Sequence, residues 1–413
     1  MMEKEELNFD LPEHIILQIL CRVPVKSLIR FSCVSKRWRS IIISDPQFGK
    51  AHLKLASEQR SITKRLILSV FLSASFRDHQ FQTRVDLRSQ SLESLFGDNS
   101  SVTNLTFPSE DIRRTNILGS CNGLVVLLDY YKEWSIWNPS TRFFRKIPAP
   151  DFSSVTKKST ITQPDRYGFG YVSSTDDYKL VLVVHIGSDD FRPDDFGFAP
   201  DVKIFIFSVR ANSWKISEVS RWPFLRYTPT SDCGTLSNEA IHWVNQYYDY
   251  LEGYTEAICA FDLESEELRK VPAPCFNQDD YDDRVLNRRM QTVVDSGGCL
   301  CVSFQFFHAN YKDIELWMMR DYGVSNSWMK LLKFSNYDLP VQLTTNYGWD
   351  ISLVIESGSI VIKLYDNTEW LRIKCRKEEK PVCVGRYRLK EMFWGYFLNP
   401  TVVYDETLIS VPE

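Results

Sequence analysis

Apolar and polar positions follow two different periods along this chain, and the change falls near residue 60. Between residues 10 and 55 the rhythm is helical: Ile15, Ile16, Ile19, Leu20 and Val23 fall on a single stripe. Asp10 offers a capping carboxylate, and Pro12 and Glu13 suit a first turn, so the spacing predicts a helix from about Leu11. Pro24 interrupts the run and opens a second short helix carrying Leu28, Ile29 and Phe31. Ser35 caps a third, which carries Trp38, Ile41 and Ile42 and ends at Pro46. Helices this short enclose little surface, so their surplus apolar side chains read as a docking face more than a private core.

After about residue 60 the rhythm is that of strands. From residue 100 one unit recurs: an apolar strand, a turn rich in Asn, Asp, Ser or Thr, then an aromatic or leucine followed by basic and aliphatic residues. Its copies run from Trp137 to Ile147, Phe207 to Ile216, Phe261 to Val271 and Trp317 to Leu331. The leading aromatics stand at 137, 207, 261 and 317, steps of 70, 54 and 56 residues; a weaker fifth copy is read from Tyr365 to Ile373. Further strands are expected at Gly123 to Leu128, Lys179 to Val184, Ala240 to Val244, Leu300 to Phe304 and Ser359 to Leu364. Four strands per period of about 50 residues predict propeller blades of the kelch kind, because each hairpin exposes an apolar face that only its neighbour can cover.

The run from Leu11-Pro12-Glu13 through Ile19-Leu20, then Pro24-Val25-Lys26-Ser27-Leu28 and Cys33-Val34-Ser35-Lys36-Arg37-Trp38, resembles an F-box in register. That resemblance implies contact with a Skp-family adaptor through Leu11, Pro12, Ile15, Ile16, Ile19, Leu20, Pro24, Leu28, Val34 and Trp38, some touching the adaptor and others holding the helices against it. Asp45 to Leu53 resembles the short helix that follows the F-box in plant members. Cys121-Asn122-Gly123-Leu124-Val125, Ile136-Trp137-Asn138-Pro139, Tyr178-Lys179-Leu180-Val181 and Leu316-Trp317-Met318-Met319 with Ser327-Trp328 are similar to the F-box-associated interaction domain of plants. The chain departs from strict kelch repeats, which carry a glycine pair in each blade, since Gly297-Gly298 is its only such pair. The expected fold is therefore α+β and multidomain, a small three-helix F-box before a large all-β kelch-like propeller. The expected layout is a tail over 1–9, the F-box over 10–55, a linker and the start of the β part over 56–100, and the F-box-associated domain over 101–413.

Composition narrows the classes. With 44% hydrophobic and 25% charged residues the 413-residue chain is an ordinary folded protein, and a net charge of −4 argues against nucleic acid as main partner. The acidic Met1 to Glu6 leads into no apolar stretch, so no secretory signal is expected. The aliphatic runs Leu124 to Leu128 and Leu180 to Val184 are far shorter than a membrane span, so no membrane role is expected. Ten scattered cysteines read as reduced thiols of a cytoplasmic or nuclear protein; Cys299 and Cys301 lack a second ligand pair, and neither metal nor cofactor is expected. Gly119-Ser120-Cys121-Asn122-Gly123 mimics a nucleophile elbow, but a strand follows it where an elbow needs a helix, so it reads as a tight β-turn. The six histidines are dispersed without ligand spacing.

The F-box resemblance implies a non-catalytic adaptor: the substrate-recognition subunit of an SCF ubiquitin ligase, joined through the Skp-family protein to a cullin and a RING protein. Self-incompatibility F-box proteins of pollen and defence-regulating F-box proteins look similar. A propeller enzyme or carbohydrate-binding protein with a helical appendage is the other class, discriminated by adaptor binding. The target is expected to be a protein. Two acidic loops, Asp189, Asp190, Asp194, Asp195 and Asp201, then Asp279, Asp280, Asp282 and Asp283, are either solvated segments or a negative rim that steers a basic target.

Overall fold

Proline and small polar residues set where each helix begins. The computed structural model describes residues 11–77, 80–91, 103–105, 116–128, 133–155, 160–161, 164, 166–187, 201–219, 232–249, 253–276, 287–308, 312–335, 349–355, 359–364, 369–374, 382–388 and 402–411. Asp10, the expected first cap, lies outside them. Helix α1 spans Glu13–Leu20 and begins later than the spacing predicts, because Pro12 at φ −53° and ψ 140° stands at its N-cap instead of inside its first turn. Pro24 holds the same place before α2, Val25–Phe31. Ser35 accepts the Trp38 N–H at 3.1 Å and starts α3, Lys36–Arg39, which widens into a π turn over Ser40–Ser44. Asp45 accepts the Gln47 N–H at 2.9 Å, and Pro46 opens α4, Pro46–Glu58. Leu20, Val25, Leu28, Ile42 and Phe48 form the core of this unit, together with Leu408 from far along the chain.

Among the described residues from Lys64 onward the chain is mainly strands, and they form six sheets. The second comprises Asn116–Cys121, Leu124–Leu128, Trp134–Trp137 and Phe144–Ile147; the third is built on Arg166–Val172, Asp177–Gly187, Asp201–Ser208 and Ser213–Val219. The fourth holds Thr235–Ser237, Ala240–Asp249, Gly253–Asp262 and Leu268–Val271, and the fifth Asn287–Ser296, Cys299–Phe307, Lys312–Met319 and Trp328–Ser335. The sixth holds Trp349–Ile355, Ser359–Leu364, Glu369–Lys374 and Val382–Arg388. In the first sheet Lys64–Arg77, Gln80–Ser91 and Thr103–Asn104 are joined by Val402–Asp405, which pairs with Lys64 to Ile67. Inner strands run side by side from Val402–Asp405 through the second to the sixth sheet, as propeller blades do.

The recurring signature is the hairpin between the third and fourth strands of the second to fifth blades. Asn138, Ser208 and Asp262 each accept a backbone N–H two or three residues onward, folding the turn locally. Five residues after the first three leading aromatics the chain turns left-handed, at Arg142, Asn212 and Glu266 with φ of 63°, 51° and 59°. Trp137, Phe207 and Phe261 are fully buried between blades. Tryptophans tie these hairpins to the preceding blade: Trp214 donates its indole N–H to the Pro148 carbonyl at 2.7 Å, and Trp328 to Pro272 at 2.8 Å. Both prolines follow the fourth strand of the preceding blade, in the similar runs Lys146-Ile147-Pro148-Ala149-Pro150 and Lys270-Val271-Pro272-Ala273-Pro274.

The described strands form six blades, and the first, assembled from both ends of the β part, carries no copy of the signature. One expectation needs correction: the fifth copy is out of phase. Tyr365 to Thr368 lie outside the described residues, but the strands they join, Ser359–Leu364 and Glu369–Lys374, are the second and third of their blade. Residues 56–100, read as a linker and the start of the β part, contain the end of α4 and two long strands.

Candidate interaction surfaces

The ten residues expected to face an adaptor separate by burial. Leu11, Ile19 and Val34 are 55%, 51% and 67% exposed, and Pro12 and Pro24 are exposed beside them. Ile15, Ile16 and Trp38 are half-buried, the Trp38 ring set edge-on to Phe31 at 5.6 Å. Leu20 and Leu28 keep 1% and 0% of their surface and have none to offer a partner; they are core, the part the F-box resemblance gives to residues that hold the helices together. Residues 11–44 also carry Arg22, Lys26, Arg30, Lys36, Arg37 and Arg39 against a single carboxylate, Glu13, which meets Arg37 at 3.4 Å. A locally basic surface thus surrounds exposed apolar side chains in a chain whose net charge is −4.

The helical unit sits on one face of the propeller. Antiparallel pairing brings the turns between first and second strands, and between third and fourth strands, to the same face of every blade. On that face the Lys50 ammonium of α4 reaches the Asp176 carboxylate, which also accepts the Tyr171 hydroxyl at 2.7 Å. These two hydrogen bonds, Lys50 foremost, hold the Asp176 carboxyl below the usual carboxylate range, while burial, with Asp176 beside it, pushes the Tyr171 phenol up to about 12. His52 anchors α4 to the helical unit through its Nε2 and the Val23 carbonyl, 2.9 Å apart. Sequence reasoning did not find Lys50, Asp176 or Leu408, since no periodicity joins residues so far apart.

Asp194, Asp195, Asp279, Asp280, Asp282 and Asp283 lie outside the described residues, as do Asp189 and Asp190. The strand ends that lead into these segments are described. Asp177–Gly187 starts beside Asp176 at the helical unit's face and ends at the opposite one, roughly 30 Å away at about 3.3 Å per residue. Asp201 and Asn287 stand at that same opposite face, by the alternation of strands in their blades, and Leu268–Val271 runs towards it, ending opposite Ile258.

The elbow-like segment is a β-hairpin turn, with Asn122 and Gly123 at φ 51° and 83° between Asn116–Cys121 and Leu124–Leu128. Burial drives the Cys121 thiol well above the usual thiol range, the reverse of what a nucleophile needs, and pushes Cys301 up to about 12. Among the described residues no three His, Cys, Asp or Glu side chains come together as metal ligands would, and no helix is long and apolar enough to cross a membrane.

Comparison with known proteins joins these two parts. The chain matches the F-box domain over residues 9–48 and the F-box associated beta propeller domain over residues 75–410. It is similar to F-box protein CPR1 of Arabidopsis thaliana, 29% identical over 331 residues that cover 78% of this chain and 72% of that one. It is also similar to F-box/kelch-repeat protein At3g23880 of the same plant, 27% identical over 360 residues covering 84% and 86%, and to F-box protein At3g07870, 26% identical over 358 residues covering 81% and 75%.

Proposed function

The chain belongs to the F-box proteins that carry an F-box associated β-propeller, and on that premise we propose that it is the substrate-recognition subunit of an SCF ubiquitin ligase. The observation that carries the reading is the set of apolar side chains left uncovered on the F-box, Leu11, Ile19 and Val34, flanked by Pro12, Pro24, Ile15, Ile16 and Trp38. Covering them with a Skp-family adaptor removes that surface from water, and Leu20 and Leu28 keep the helices in place beneath it. The adaptor brings the cullin and RING proteins; this chain supplies no catalytic group. Its part is proximity, since a target held near the charged conjugating enzyme reacts as though at high local concentration. The cytoplasm or nucleus, where thiols stay reduced, is the compartment this reading assigns.

The target is held on the face away from the F-box, where loops can vary without unpairing the sheets. Segments 188–200 and 277–286 precede strands that begin there, at Asp201 and Asn287, and their aspartates draw a basic target by charge.

Binding of the full chain to a purified Skp-family adaptor tests the first part. Ile19→Asp or Val34→Asp sets a carboxylate in the contact and is expected to weaken binding by about 3 kcal/mol, on the order of 100-fold, with an unchanged circular dichroism spectrum. Wild-type affinity in both variants would place the hook elsewhere. Ile16→Asp is less clean, because Ile16 also packs against the helical core. Once a target is captured, neutralising Asp194, Asp195, Asp279, Asp280, Asp282 and Asp283 should slow its association and flatten the salt dependence while adaptor binding stays intact. Unaltered kinetics would leave those residues as solvated segments.

A further inference from the structure

Glycine weakens a helix, yet Gly49 stands buried in α4. Backbone lies against it: a Cβ at that position would meet the Leu408 carbonyl oxygen at 3.2 Å. Leu408 belongs to the segment Glu406–Val411, which follows the closing strand of the first blade and touches both parts of the molecule in turn. The Leu408 side chain enters the helical core with Leu20, Val25, Leu28, Ile42 and Phe48. Ile409 and Val411 enter the core of the second and third blades, against which Leu53 of α4 also packs.

The segment is tied to the propeller along its length. The Glu406 N–H donates to the Thr63 carbonyl at 2.9 Å, and the Thr407 hydroxyl to the Asn122 carbonyl at 2.7 Å. The Asn138 amide donates to the Thr407 and Ile409 carbonyls at 3.2 and 2.8 Å. Gly123, at φ 83°, faces Thr407 so closely that a Cβ would overlap its hydroxyl. On the α4 side the Lys50 to Asp176 ion pair makes a separate tie between the same two parts.

We infer that Glu406–Val411 is a strap that fixes the orientation of the F-box on the propeller, with Leu408 and Gly49 as its positioning residues. Residues 59–63 between α4 and the first strand would, if they were the whole connection, let a small helical unit swing. The strap removes that freedom. In a ligase receptor, which is the reading this inference rests on, the distance from adaptor hook to target face is then set by the fold and not by a linker.

Small-angle X-ray scattering of the free full-length chain tests the strap, and an adaptor-binding assay on the same samples tests the ligase reading. The wild-type curve is expected to fit one orientation of F-box on propeller. Leu408→Asp, which puts a carboxylate into the helical core, and Gly49→Leu, which favours helix but presses on the strap, are each expected to enlarge the maximum dimension and require several orientations. Their β circular dichroism should be unchanged, and Leu408→Met should restore the wild-type curve. If Leu408→Asp also unfolds the helices, Gly49→Leu carries the test, because that substitution strengthens α4. Wild-type scattering from a folded Gly49→Leu chain, or a wild-type chain that already scatters as two loosely joined bodies, overturns the inference. Loss of adaptor binding by the wild type with a rigid scattering curve would overturn the ligase reading and leave the strap standing.

Discussion

The F-box and the propeller cover their apolar side chains to different depths. In the F-box Leu20, Val25, Leu28, Ile42 and Phe48 are fully inside, Ile16, Ile29, Phe31, Trp38 and Ile41 are half-covered, and Leu11, Ile19 and Val34 face solvent. In the propeller whole strands vanish from solvent on both faces, as Leu124 to Leu127 and Leu180 to Val184 do. A blade has a neighbour against each face, whereas a few short helices have a face to spare. This is also why the central strands of an antiparallel sheet read as continuous apolar runs instead of alternating ones. One part is a finished core, and the other leaves a place for a partner.

Removing a ring from the finished part should give the largest effect. Phe261→Ala empties a fully buried position shared by the third and fourth blades and is expected to destabilise the propeller by about 4 kcal/mol, read from the urea midpoint. Ile19→Ala in the F-box should leave that midpoint unchanged and show itself in adaptor binding instead. Equal loss of stability from both would erase the distinction.

Acid provides the next test, because it reaches a buried histidine of the propeller. His242 Nδ1 lies 3.2 Å from the Thr235 carbonyl and so carries the proton, which leaves Nε2 to accept the Tyr322 hydroxyl at 2.6 Å. Arg269 donates to the same hydroxyl at 2.9 Å. Burial, foremost, and the nearby Arg269 charge bring His242 from its ordinary 6.5 down to about 4. Between those values the unfolded chain binds a proton that the folded chain does not. The stability is therefore fully present above about pH 6.5 and declines as the pH falls towards 4, by roughly 3 kcal/mol. His242→Gln does not titrate, so its melting temperature should fall less steeply over that range than the wild type's. Parallel curves for the two would remove His242 from the account.

The smallest expected effect is on rate. Arg30→Glu with Lys36→Glu reverses two charges on the basic surface around the exposed apolar residues and should slow adaptor association about fivefold at low salt. The melting temperature should stay where it is, and high salt should abolish the difference. Salt-independent slowing would mean that shape and not charge is at fault.

Features written within a few residues were legible in the chain. Pro24 and Ser35 mark helix starts, the Asn138, Ser208 and Asp262 turns mark hairpins, and Gly119 to Gly123 reads as a turn because a strand follows it. These depend on hydrogen bonds and dihedral preferences that span a turn or two, so they leave their mark in local order and spacing. Tertiary structure alone decided which apolar residues of the F-box stay exposed, for Leu20 and Ile19 are neighbours in sequence and opposites in burial. It also decided that Val402–Asp405 closes the first blade against Lys64 to Ile67, that Lys50 finds Asp176, and that Leu408 enters the F-box core. Contacts between residues hundreds of positions apart impose no period on the chain, and a leucine is spelled the same way whether it waits for a partner or already has one.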